Sequence, residues 1–167
     1  MDLSSGNAFV LFTSYGMLNS CAERLRAYFQ RQGYCLLVHG EALSRTAMLD
    51  QFKSNKASVI FGATSFWTGV DVPGDALSNV IIAKLPFSVP NHPIVEARCE
   101  QIKENGGEPF FHYSIPDAVL KFRQGIGRLI RSKTDTGIIV VLDPRIVSKS
   151  YGRVFLNSIP PCPIKYF

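Results

Sequence analysis

Five short apolar runs rich in β-branched residues punctuate the chain: AFVLFT (8–13), YCLLVH (34–39), SVIFGA (58–63), NVIIAKL (79–85) and GIIVVLD (137–143). Segments of helical period separate them. Strands this uniformly apolar need cover on both faces, and strands that alternate with helices pair in parallel. The chain is therefore predicted to be α/β, a parallel sheet of about five or more strands with helices on both faces.

Leu18, Ala22, Leu25 and Phe29 recur at helical spacing and predict an amphipathic helix ending at Gly33. A second helix is predicted over 43–53 and a third over 93–105, stopped by Gly106 and Gly107; Ile115-Pro116-Asp117 opens a fourth. Residues 86–114 read as an elaboration on the fold, in which Phe87, Ile94, Phe110 and Phe111 need burying. Residues 151–167 read as a proline-rich tail without a closing element. The 167 residues suffice for a single domain, 1–167.

Lysine and arginine number 18 against 13 aspartates and glutamates, a net charge of +5 that favours a polyanionic partner. Cys21, Cys35, Cys99 and Cys162 are far apart and make no metal-ligand spacing, so no metal site is expected and the thiols read as reduced. No apolar run has the length of a membrane span, and 1–7 is too short and polar for a signal peptide. No membrane partner is expected, and the reading is a cytoplasmic protein.

QGIGRLIRS (124–132) sets Gly125 and Gly127, each costing a helix interior about 1 kcal/mol relative to alanine, beside Arg128 and Arg131. If the helix continues through this stretch, Val119, Phe122, Ile126 and Leu129 share an arc of roughly 80°, and Gln124, Arg128 and Arg131 share roughly 60° on the opposite side. One face would pack on the sheet while the other presents two guanidinium groups and an amide. The glycines then read as helix stability given up for the close approach of a backbone or nucleotide. A dinucleotide fingerprint is excluded, because its third glycine position is Ile130 and the stretch follows helix rather than strand.

FGATSFWTGVDVPG (61–74) leaves the third strand where parallel α/β sheets place ligand loops. Thr64 and Ser65 offer hydroxyls, Gly69 a bare backbone and Asp71 an acceptor suited to a sugar hydroxyl. Trp67 reads as a packed aromatic or as a stacking platform.

In order along the chain, VLFTSYGMLN (10–19), SFWTGVDVPGDAL (65–77) and QGIGRLIRS (124–132) resemble motifs IV, V and VI of the second motor domain of superfamily 2 helicases, in the DinG/XPD-like branch. KLPFSVPNHP (84–93), GIIVVLDPRI (137–146) and Tyr151-Gly152 are similar to the same branch. The resemblance implies a C-terminal RecA-like domain in which Arg128 and Arg131 reach the γ-phosphate of ATP, with Arg131 as arginine finger. It implies that Gln124 lines the nucleotide cleft, that Gly69 and Asp71 lie near ribose and phosphates, and that Thr13, Ser14, Thr64 and Ser65 touch the nucleic-acid backbone. Thr68 stands where the branch commonly has glutamate, and His39 where glutamine is frequent.

No G-x-x-x-x-G-K-[ST] occurs: the frame Gly69 to Gly74 runs on into Asp75 and Ala76, and no acidic box for magnesium is present. ATP and Mg2+ are thus expected to be held mostly by a separate N-terminal RecA-like domain, with no cofactor on this chain alone and no ATP hydrolysis by it. Single-stranded DNA is the expected second partner. Two other readings stand beside this one: a helicase-like DNA- and ATP-binding module of a DinG-type exonuclease protein, and a non-enzymatic basic nucleic-acid-binding domain.

Overall fold

The computed structural model describes residues 6–55, 57–67, 77–130 and 135–167. Five parallel strands, β1 (Ala8–Phe12), β2 (Cys35–Val38), β3 (Ser58–Ala63), β4 (Asn79–Ile82) and β5 (Ile138–Val141), form one sheet in the order β2-β3-β1-β4-β5. The helices are α1 (Tyr15–Arg31), α2 (Arg45–Ser54), α3 (Pro93–Glu104), α4 (Ile115–Ile126), α5 (Arg145–Ser148) and α6 (Gly152–Leu156). All five predicted strands and the first four helices are present.

The chain steps from β1 across β3 to β2, then back through β3, β4 and β5. Because such crossovers are right-handed, the reversal puts α1 on one face and the later helices on the other. Side-chain alternation along β1 matches this division. Ala8, Val10 and Phe12 pack with Leu18, Ala22 and Phe29 of α1, whereas Phe9 and Leu11 pack with Met48 and Phe52 of α2, Phe122 and Ile126 of α4 and Phe155 of α6. A fully buried phenylalanine contributes roughly 1.5–3 kcal/mol. Burial of Phe122 therefore outweighs the propensity penalty of Gly125 and holds α4 in place.

Three expectations need correction. The fourth helix does not run through residue 132: it ends at Ile126, where the N–H of Gly127 bonds the Arg123 carbonyl at 2.7 Å and Leu129 turns back to Ile126 at 2.9 Å. Of Phe87, Ile94, Phe110 and Phe111, only Phe87 is covered, by Tyr151 and Phe155; Ile94 is 61% and Phe111 59% exposed, and Phe110 stacks on Phe87 while staying exposed. The tail does contain a closing element, α6, whose Phe155 is fully buried against Phe122. Gly152 permits it, since a Cβ there would stand 2.0 Å from the Ile146 carbonyl oxygen.

Two polar pins hold the segment after β4. Ser88 donates to Asp117 of α4 at 2.7 Å, and Lys121 bonds both. Buried Asp143 accepts from the N–H of Leu85 at 2.9 Å and from the backbone and guanidinium of Arg145, which lies over the Phe87 ring. Burial alone would raise the Asp143 pKa, but the Arg145 and backbone donors outweigh it and hold the carboxyl below its ordinary value. Arg145 is partly exposed, so solvent screens the pair and the backbone bonds dominate. Asp143→Ala should cost about 2 kcal/mol in urea unfolding at neutral pH. Because the folded-state pKa is depressed, this stabilisation is full above the unfolded value of about 3.9 and is lost as pH falls through the folded value. The gap between variant and parent should then narrow in acid.

Candidate functional site

The carboxyl ends of β1 and β3 carry the hydroxyl residues that the sequence singles out as a candidate site. Their register pairs Phe12 with Ala63, so Thr13-Ser14 and Thr64-Ser65 leave the sheet side by side. From there β1 turns into α1 on one face, while β3 passes through a 3-10 turn (Thr64–Phe66) that delivers Phe66 and Trp67 to the core of the other. Neighbouring connections thus diverge to opposite faces at the strand ends, the place where open α/β sheets bind ligands.

Thr13 and Ser65 are half-buried and Ser14 is exposed. Ser14 is the N-cap of α1 in extended conformation, its Oγ accepting from the N–H of Met17 at 3.3 Å. The cap uses an acceptor lone pair and leaves the hydroxyl proton for an oxygen ligand. Ser44 caps α2 in the same way.

Trp67 ties this edge together. Its buried indole Nε1–H donates to the Phe12 carbonyl at 2.7 Å, fixing the backbone just before Thr13. Its ring lies against Gly125 of α4, where a Cβ would meet the indole at 3.1 Å and Leu11 at 3.0 Å. Of the two sequence readings of Trp67, the packed aromatic is the one observed. The expectation for Gly125 is corrected accordingly: the missing side chain admits Trp67, and helix stability is exchanged for an internal contact.

Around the motif after α4, Gln124 is exposed as expected, whereas Arg128 is not presented to solvent. Arg128 is 5% exposed, with its Nε donating to the Gln124 carbonyl at 3.3 Å. The wheel of 100° per residue stops applying at Gly127, and the turn folds Arg128 back on the helix end. Arg131, Gly69, Asp71 and Thr68 lie outside the described residues. Ile126 and Leu129 are buried and Val119 is partly so, as expected of the core face.

The third member of the edge is His39, at the exit of β2. Its Nδ1 accepts from the N–H of Ala63 at 3.4 Å, and the ring contacts Phe66 edge-on at 4.8 Å. Burial, with the Arg45 guanidinium adding to it, pushes the His39 pKa below its ordinary value. Tyr15 reaches the same imidazole from α1. Sequence reading missed Tyr15 as a site residue, although it directly follows Thr13-Ser14. Among the described residues, no group of three or more His, Cys, Asp or Glu side chains is placed to hold a metal ion, and no helix is long and apolar enough to cross a membrane.

A five-stranded all-parallel sheet in this strand order, with helices on both faces, is the architecture of a RecA-like domain. The solved structure described as XPD_APO superposes with a TM-score of 0.67 at 21% identity over 91% of this chain and 31% of that one. The C-terminal domain of the DEAD-box protein Dbp5 superposes with a TM-score of 0.51 at 15% identity, over 90% of this chain and 66% of that one. Residues 1–162 match the family described as Helicase C-terminal domain, and the chain belongs to that family, in its DinG/XPD-like superfamily 2 branch. It is 45% identical over 161 residues to the ATP-dependent DNA helicase YoaA of Haemophilus influenzae, covering 96% of this chain and 24% of the relative. It is 44% identical over 152 residues to the 3'-5' exonuclease DinG of Bacillus subtilis, covering 90% of this chain and 16% of the relative. The chain thus spans about a quarter or less of the length of these curated relatives.

Proposed function

We propose that the chain is the second motor domain of an ATP-dependent DNA helicase. It works against an N-terminal RecA-like domain of the same parent and grips single-stranded DNA through Thr13, Ser14, Thr64 and Ser65. The observation that carries this reading is that Thr13-Ser14 and Thr64-Ser65 leave two adjacent strand ends side by side, with the last turn of α4 tied to the same edge through Trp67 and Gly125. Such groups suit phosphate contacts that hold a strand without reading its sequence.

On this reading Arg131 is the arginine finger, Arg128 joins it at the γ-phosphate, and Gln124, Gly69 and Asp71 line the nucleotide cleft. Bound ATP would supply a transferable phosphoryl group. Arg128 reaches it only by exchanging its present contact with the helix end, a change that domain closure would drive. The hydroxyls and the exposed Gln124 amide are donors suited to phosphate oxygens, and on this reading magnesium is held by the partner domain.

The isolated chain should therefore show no ATP hydrolysis above buffer, with or without single-stranded DNA, whereas a full-length parent should show DNA-stimulated ATP turnover. Measurable turnover by the isolated chain would refute the half-motor reading. No DNA stimulation in the parent would favour a plain binding domain. The Bacillus subtilis relative's name supports a second reading, in which the module holds DNA and ATP for an exonuclease. A set of nuclease carboxylates in the parent, with degradation of labelled DNA abolished by their removal, would favour it.

A further inference from the structure

We propose that Tyr15 is a base-stacking residue for single-stranded nucleic acid, held ready by His39. The proposal rests on the functional reading above and extends the strand-gripping edge by a residue of different chemistry. Tyr15 is the first residue of α1, directly after Thr13-Ser14, and is 45% exposed. Most exposed tyrosines sweep several rotamers; this one is held. Its hydroxyl lies 3.2 Å and 3.3 Å from the two ring nitrogens of His39, and the two rings are tilted against each other at 5.2 Å.

The support continues inward. His39 is bonded to the Ala63 backbone and packed on Phe66, a fully buried residue over whose ring the Arg45 guanidinium lies at 5.7 Å. One end of the phenol is thus fixed toward the interior while the side chain stays exposed directly beside Thr13 and Ser14. Pre-fixing an aromatic side chain removes the rotamer entropy that stacking would otherwise cost. A base has a π-face whatever its identity, so a held ring next to phosphate-binding hydroxyls suits a sequence-tolerant strand. The hydroxyls would take the backbone and the ring one base, which also fixes the register of the strand on the domain.

The test uses the full-length parent and two short fluorescent probes of equal length and charge, oligo(dT) and the same backbone with abasic sites, titrated at one fixed salt concentration. Tyr15→Ala should weaken oligo(dT) binding by about five- to a hundredfold, the range that one stacked base contributes. It should leave the already weaker abasic binding within about twofold, because both probes have the same phosphates. Tyr15→Phe keeps the ring and loses the bond to His39, so it should lie between parent and Tyr15→Ala on oligo(dT). Melting curves keep a folding defect visible: a misfolded variant would lose both probes together, while Tyr15→Phe still reports on the ring.

Equal loss on both probes with intact melting, or no loss on either, overturns the stacking role and leaves the helicase reading standing. A loss confined to the KM for ATP would assign the ring to the base of the nucleotide and equally overturn it. A parent that binds neither probe and shows no DNA-stimulated ATPase would sink the functional reading itself, and this proposal with it.

Discussion

Arg131→Ala in a full-length parent should lower DNA-stimulated ATP turnover by at least about a hundredfold while the melting temperature stays that of the unmodified protein. An arginine finger stabilises charge on the transferring phosphoryl group and contributes about 10³ to 10⁵ in rate. The lower bound is used because Arg128 would leave one guanidinium near the same oxygens. The loss should fall on kcat with little change in the KM for ATP, as expected of a contact made mainly in the transition state. Arg131→Lys should not restore turnover, since an ammonium lacks the planar fork of donors that matches phosphate oxygens. Near-normal turnover in either variant would defeat the finger assignment. Arg128 cannot serve as the test residue. It is buried against the helix end, so its removal would disturb packing and chemistry together.

Trp67→Ala should destabilise the domain by about 3–5 kcal/mol in urea unfolding, the usual cost of truncating a buried aromatic. The loss has two sources, which further variants separate. Trp67→Phe keeps most of the ring against Gly125 but leaves the Phe12 carbonyl without its donor, at about 1–3 kcal/mol. Gly125→Val keeps the indole but drives a branched side chain into it and Leu11, at about 1–3 kcal/mol of overpacking. Combined with Trp67→Ala, Gly125→Val should cost less than it does alone, because its added methyls then enter the space the indole vacated. Strict additivity would show that Gly125 is not answering to Trp67. Since Trp67 fixes the backbone before Thr13, weaker binding of single-stranded DNA should accompany its truncation.

The strand positions were legible because local rules decide them. A run such as AFVLF must be buried wherever it occurs, and it starts and stops where its apolar composition does. The starts of α3 and α4 were legible for a similar reason, since Pro93 and Pro116 stand in their first turns, whereas the start of α2 was read two residues early because the cap at Ser44 went unread. Helix α4 beyond Ile126 was not legible. The periodic pattern of Ile126 and Leu129 persists after the backbone has left the helix, because both residues are buried whichever path joins them. The exposure of Phe111 and Ile94 was equally hidden, since hydrophobicity states a preference for burial and not whether cover is present.

At the site, the sequence by itself determined the parallel sheet, the order of its hydroxyl, tryptophan and glycine-arginine segments, and membership of a helicase domain family. Each of these follows from neighbours along the chain, through periodicity, turn chemistry and motif order. Only the tertiary structure decided what Gly125 is for, that Trp67 locks the exit of β1, that Arg128 is buried, and that Tyr15 and His39 share a bond across 24 positions of sequence. Apart from Arg128, which folds back on Gln124 of its own helix, these are contacts between segments that meet only once the chain has crossed the sheet and packed on it. A one-dimensional pattern states which residues will be buried; which of them touch depends on the crossing of the chain in space.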